Sequence, residues 1–270
     1  MTVSDVNAEI ARLWPPDSKE PWDAVGLVSG DLDAPVSSIL LAVDAVLETA
    51  AEAIELGVDV LVVHHPPLLR PVTSIASDQY KGAVLSQLIR AGCALVAAHT
   101  NADVTESGTS ATLAAALGLE HVRPIVIAEN PAIGIGRVGE LPVPSTLGRL
   151  ARDLAELLPA TASGIRVSGS FDSPVRVVAL CAGAGDSLLS EVDVLRADVY
   201  ITSDLRHHPA SEARENAKVS VGPALIDVSH WASEWLWLDV AAAQLRAALP
   251  GVRVSVSDAR TDPWDFVVTQ

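Results

Sequence analysis

Short, wholly apolar runs alternate along this chain with segments whose apolar positions recur every three to four residues. The first pattern marks a buried strand and the second a helix packed by one face. "SSILLAVD" (37–44) reads as a strand, and "AVLETAAEAIELG" (45–57) as a helix stopped by Gly57. "VDVLVV" (58–63) is the next strand, "YKGAVLSQLIRAG" (80–92) a helix, "CALVAA" (93–98) a strand and "SATLAAALG" (110–118) a helix. The alternation resumes with a helix at 145–158, strand 174–183, helix 186–197, strand 198–203, helix 210–217, strand 223–229 and helix 232–249. "RVSVSD" (253–258) and "WDFVVT" (264–269) predict late strands. Strands apolar on both faces and separated by helices predict an α/β fold, a sheet with helices on both sides.

The stretch from about 120 to 145 is rich in Pro and Gly and reads as short strands and turns, which makes it the expected domain boundary. The chain also echoes itself. "VDVLVVHHPPLL" (58–69) resembles "ADVYITSDLRHHPA" (197–210), and "CALVAAHTNAD" (93–103) resembles "PALIDVSHWASE" (223–234). Two such pairs in the same chain order point to a duplicated α/β unit.

Composition narrows the function classes. Aromatic residues are only 4% of the 270, so stacking platforms for single-stranded nucleic acid are not expected. The formal net charge of −16 repels nucleic-acid and anionic membrane surfaces at long range, but leaves room for a small anion at a local cationic centre. Cys93 and Cys181 each sit in an apolar run and read as buried reduced thiols. The N-terminus lacks a secretory pattern and no apolar run is long enough to span a bilayer, so the expectation is a cytoplasmic soluble protein.

Strand ends carry the candidate chemistry, because ligands of open α/β sheets gather at the carboxyl ends of strands. His64 and His65 end one strand, His99 and Asp103 follow another, and His230 and Glu234 follow a third. Imidazole and carboxylate are the usual ligands of divalent first-row metals. If Ser229 caps the last helix, His230 and Glu234 stand one turn apart on one face. His64 and His65 would point to opposite faces of a continuing strand, but Pro66 and Pro67 cannot extend the ladder. A loop starting at the histidines could turn both to one side, or the two could serve two metals bridged by one carboxylate. His121, His207 and His208 read on their own as ordinary histidines. "CAGAGDS" (181–187) is a Gly-rich turn that reads first as a tight connection and second as a phosphate cradle.

Seven motifs, "PWDAVGLVSGD", "VVHHPPLL", "AAHTNAD", "CAGAG", "YITSDLRHH", "DVSHWASE" and "TDPWDFV", occur in the order found in the NIF-three-like family, whose members carry the name GTP cyclohydrolase 1 type 2 homolog. The resemblance covers essentially the whole chain, in a short form without the inserted central domain of many members. It departs mildly at "LLRP" after "HHPP" and at Trp231, neither of them a candidate ligand.

The resemblance implies two similar three-layer α/β/α domains with a metal site in the cleft between them. Residues 1–125 would form the first, with about 225–270 packing back onto it, and 126–225 the second. It implies two divalent ions (zinc, manganese, iron or nickel), with His64 and His65 one to each ion, Asp103 on one, His230 on the other and Glu234 bridging. His99 would sit beside the site rather than bind metal, either supporting a ligand or acting as an acid–base group, and His208, if close, could carry protons too. It also implies a homohexameric ring.

Three neutral imidazoles and two carboxylates around two divalent ions leave a local charge of about +2, suited to an anionic substrate. Open coordination positions admit water, so hydrolysis is the expected reaction class. GTP is the named substrate, with water attacking C8 and formate released. The alternatives are another two-metal hydrolase of phosphoester or amide bonds, and a non-catalytic metal-binding scaffold.

Overall fold

The computed structural model describes residues 1–269. In chain order its elements are α1 (Val3–Leu13), β1 (Gly26–Ser29), β2 (Ser38–Ala42), α2 (Leu47–Glu55), β3 (Val60–Val63), α3 (Tyr80–Ala91), β4 (Ala94–Ala97), α4 (Thr100–Asp103), α5 (Thr109–Ala116), β5 (Glu120–Arg123), β6 (Val126–Ile127), β7 (Gly134–Ile135), β8 (Arg137–Thr146), α6 (Leu147–Leu157), β9 (Arg166–Ser168), β10 (Pro174–Ala184), α7 (Val192–Arg196), β11 (Val199–Ser203), α8 (His207–Val219), β12 (Ala224–Val228), α9 (His230–Ala248) and β13 (Arg253–Val256). They fall into two compact units, residues 1–102 with 238–261, and residues 103–237 with 262–270. Among the described residues no helix is long and apolar enough to cross a membrane.

The first unit is built on a five-stranded sheet of order β1-β4-β3-β2-β13. β13, β2, β3 and β4 run parallel, and β1 joins the β4 edge antiparallel. Every residue of β2, β3 and β4 is buried, as a strand covered on both faces requires. Leu40, Leu61, Leu85, Leu88 and Leu95 share one core with Ala50 and Ala53 of α2. Gly92, at φ 72°, ends α3 in the left-handed conformation that glycine adopts without strain. Asp59 ties the sheet at its base: its Oδ2 accepts from the amides of Ser37 and Ser38 at 2.8 and 3.0 Å and from both hydroxyls.

The second unit holds a six-stranded mixed sheet, β5-β8-β10-β11-β12-β9, and a small β6-β7 ribbon. β10, β11 and β12 are parallel, while β8 and β9 are antiparallel to their neighbours. Val138, Ala179, Val194, Tyr200 and Leu225 lie in its core. The order β9-β12-β11-β10 follows the same pattern as β1-β4-β3-β2, three consecutive parallel strands with the preceding strand antiparallel beside the third. Asp198 also plays the part of Asp59, its Oδ2 accepting from the amides of Arg176 and Val177, both at 2.8 Å.

Two expectations are corrected. Residues 264–269 form no strand, because no neighbouring segment supplies a hydrogen-bonding ladder, and Trp264, Phe266 and Val268 are exposed. The helix expected over 186–197 is broken into a single 3-10 turn (Asp186–Leu188) and the short α7. Ser187 and Ser190 are weak helix formers there. Cys93 and Cys181 are buried free thiols, and burial pushes them up to about 11 and about 12.

Candidate metal centre

In the first unit the histidines converge. The ladder with β2 runs on past β3, with the amides of His64 and His65 donating to Ala42 and Val43 carbonyls at 3.1 and 2.9 Å. The rings nonetheless lie only 5.1 Å apart, centroid to centroid, so the chain turns both toward one point as it enters Pro66. His99, just past β4, joins them at 5.1 Å from the His64 ring and 5.5 Å from the His65 ring. One ligand atom from each of the three lies within 4.8 Å of the other two, which makes them a group able to hold a metal ion.

Each ring is held by its Nδ1. His64 Nδ1 contacts the Ala98 carbonyl at 2.8 Å, His65 Nδ1 contacts Asp44 Oδ1 at 2.7 Å, and His99 Nδ1 contacts Asp23 Oδ1 at 2.8 Å. A carbonyl or carboxylate oxygen can only accept, so each Nδ1 is the protonated nitrogen and a neutral ring would offer Nε2 to a metal ion. Asp23 also accepts from the Thr100 amide and hydroxyl. Burial alone would raise its carboxyl, but the bonds from His99 and Thr100 outweigh it and hold it far below the ordinary range. Asp44 uses its second oxygen to accept from the Thr261 hydroxyl.

The second unit repeats the device. Ser229 Oγ accepts from the Ala232 amide at 3.2 Å and so caps α9, as expected. His230 and Glu234 then stand one turn apart, with Nε2 and Oε1 3.0 Å from each other. His230 Nδ1 contacts Asp204 Oδ2 at 2.8 Å, and Asp204 sits at φ 56° in the turn after β11. Burial works to lower the His230 imidazole, but Glu234 and Asp204 together hold it well above its ordinary value.

Gly183 lies against this pair. A Cβ built there would come 2.3 Å from Glu234 Oε1 and 3.2 Å from His230 Nε2, and its φ of 72° itself favours glycine. "CAGAG" thus serves as a close approach to the carboxylate and imidazole.

Asp103 ends α4, its Oδ1 accepting from the Thr109 hydroxyl. Buried Arg137 braces the loop that follows, donating to the carbonyls of Thr105, Gly134 and Gly136. His208 is exposed in the first turn of α8, its ring 5.1 Å edge-on to His207. Among the described residues, neither His208 nor Asp103 belongs to the three-histidine group.

Sequence reasoning missed Asp23, Asp44 and Asp204, the three carboxylates that orient imidazoles. Asp23 lay inside the quoted "PWDAVG", and Asp44 closes the apolar run of β2 as His64 closes that of β3. An acidic residue at the end of a wholly apolar strand was the available signal.

The model of the Duf34/NIF3 (NGG1p interacting factor 3) family matches residues 1–263. A Streptomyces coelicolor protein named GTP cyclohydrolase 1 type 2 homolog is 47% identical, over 97% of this chain and 93% of its own. The crystal structure of Staphylococcus aureus hypothetical protein SA1388 superposes with a TM-score of 0.90 at 26% identity, covering 99% of each chain. That of a NIF3-related protein of Bacillus cereus gives 0.89 at 22% identity over the same share and speaks to the fold. With the family model matched over residues 1–263 and a 47%-identical relative aligned over nearly all of both chains, the chain belongs to the Duf34/NIF3 family.

Proposed function

We propose that this protein is a metal-dependent hydrolase of a small anionic substrate, with two divalent ions held by His64, His65, Asp103, His230 and Glu234. The observation that carries the reading is the fixed state of four imidazoles. His64, His65, His99 and His230 all spend Nδ1 on an oxygen, three of them on a carboxylate. That is the arrangement that orients histidine ligands and raises their basicity. The donors fit zinc, manganese, iron or nickel, all borderline ions served by imidazole and carboxylate. Gly183 leaves room at the Glu234 carboxylate that any side chain would fill.

When bound, such ions act as Lewis acids and lower the pKa of water toward neutrality. The protein's own residues do the rest. Asp44, Asp23 and Asp204 keep the His65, His99 and His230 rings in one orientation. His99, edge-on to Trp22 at 5.8 Å, is suited to carry a proton between Nε2 and a reacting group, because Asp23 holds the ring by Nδ1 and leaves Nε2 as the nitrogen that faces the exchange. The shared strand order and the Asp59 and Asp198 ties support a duplicated unit.

The substrate reading is GTP, from the name of the 47%-identical relative and the match of charge. The test is formate release from GTP by metal-loaded protein, with bound metal measured by mass spectrometry. The wild type is expected to release formate and hold metal, and Glu234→Ala to lose both. Metal retention without turnover of GTP or of a generic phosphoester would overturn the catalytic reading in favour of a metal-binding scaffold. Light scattering on the same preparation reports whether six chains associate, as the family resemblance implies.

A further inference from the structure

The second unit carries a pocket of about 420 Å³ between the β9 edge of its sheet and α8. That volume falls within the range of small-molecule sites, about 300–1,000 Å³. α8 is unusual in having no buried residue over its 13 positions, although it lies against β12. Only Ala210 and Ala213 of α8 pack, partly buried, against the core, and the rest of that face roofs a space.

The groups around that space are chemically sorted. His207, Ser211 and Arg214 lie on one face of α8, at the spacing of successive helical turns. Arg166 and Ser168 face them from β9, and Asp227 from β12. Leu205 and Leu225 supply an apolar floor. Asp227 is buried, and its Oδ2 accepts from Arg166 at 2.6 Å and from the Leu205 amide at 3.2 Å. That pair neutralises one guanidinium. Arg214 remains as a net positive charge, and His207 adds ring nitrogens able to hydrogen-bond. The helix opens here with no acidic residue in its first turn and no side-chain cap. Its first amides add to the same positive field.

We infer that this pocket binds a small phosphomonoester, the phosphate seated between Arg214, Arg166 and the hydroxyls of Ser168 and Ser211, with the rest of the ligand on Leu205 and Leu225. The Arg214 fork, the N–H groups of Arg166 not given to Asp227, and two hydroxyls match the oxygens of a phosphate. A concave site of this size on a protein of net charge −16 selects a small anion over a nucleic-acid backbone. The pocket shares no lining residue with the proposed hydrolytic centre but touches its support. Leu205 follows Asp204, which holds His230, so the ligand would stiffen the turn that orients that imidazole.

The test is calorimetric titration of the intact protein with ribose 5-phosphate, and with ribose as the phosphate-free control. Saturable binding of ribose 5-phosphate and none of ribose is expected. Arg214→Gln is the informative variant, because the side chain is exposed and no core packing depends on it. It should weaken binding about tenfold, the loss of one charged fork. Glu234→Ala should bind ribose 5-phosphate as the wild type does. The inference is overturned if ribose binds equally well, if Arg214→Gln binds like the wild type, or if no saturation is reached by about 10 mM. It is also overturned if Glu234→Ala abolishes binding, since the phosphate would then be held at the histidine and glutamate residues.

Discussion

Glycine 183 shows how much a single position can decide. A methyl group there would meet the Glu234 carboxylate at 2.3 Å, and the backbone is already left-handed. The carboxylate is the far end of a side chain, so it would swing away rather than unfold the sheet. Gly183→Ala is therefore expected to cost about 1–2 kcal/mol in denaturant unfolding, the strain of a left-handed alanine. The larger effect should be on function: bound metal, read by mass spectrometry, should fall about tenfold or more, as it does when a ligand's support is disturbed. Unchanged metal content would show that Glu234 is not a ligand. The histidines themselves were legible, because an imidazole at the end of a wholly apolar strand is out of place in a core. Their carboxylate partners were not. Asp23 and Asp204 lie in irregular segments, where no periodicity separates an acid that holds a ring from one that faces water.

Among the elements, the parallel strands were read almost to the residue, since burial on both faces leaves an unbroken apolar signature. β1 and β9 escaped notice. They are short and half-exposed, and they join their sheets only as antiparallel edges. The opposite failure occurred at 264–269, where an apolar run promised a strand. A strand exists only where a neighbour offers its hydrogen bonds, and no single segment declares its partner. The tie at the base of β3 is open to experiment. Burial alone would raise the Asp59 carboxyl, but the bonds from Ser37 and Ser38 outweigh it and hold it below its ordinary value. A carboxylate with a lowered folded pKa stabilises fully above its unfolded value, about 3.9, and loses that contribution as pH falls through the folded value. Asp59→Asn is thus expected to lower stability by about 1–2 kcal/mol at pH 7. The two proteins should converge as the pH drops below about 4. A difference that persists in acid would mean that the serines are held by packing rather than by charge.

For the molecule as a whole, the family was legible because its motifs span nearly the entire chain, from "PWDAVG" to "TDPWDFV". The division into units was harder to read, because the chain leaves the first unit at residue 102 and returns at 238, within the single helix α9. Cation binding should act on the intact protein by mass action. A cation present at a hundred times its dissociation constant adds about 2.7 kcal/mol to stability. Zinc or manganese should raise the melting temperature, a chelator should reverse the rise, and a His65→Ala, Glu234→Ala double variant should not respond. A double variant that still gains stability would place the cation elsewhere.

The pairing of β13 with β2 joins residues 253–256 to residues 38–41. A ribosome makes the chain from its amino end, so β2 emerges long before the strand that borders it. Until residues 253–256 have emerged, one side of β2 is an open edge that a neighbouring nascent chain could occupy. Residues 103–237 of the second unit are contiguous and can close while synthesis continues. The first unit's sheet is therefore begun before the strands of the second and closed after them, and the window in which a chaperone would help lasts until residues 253–256 are made.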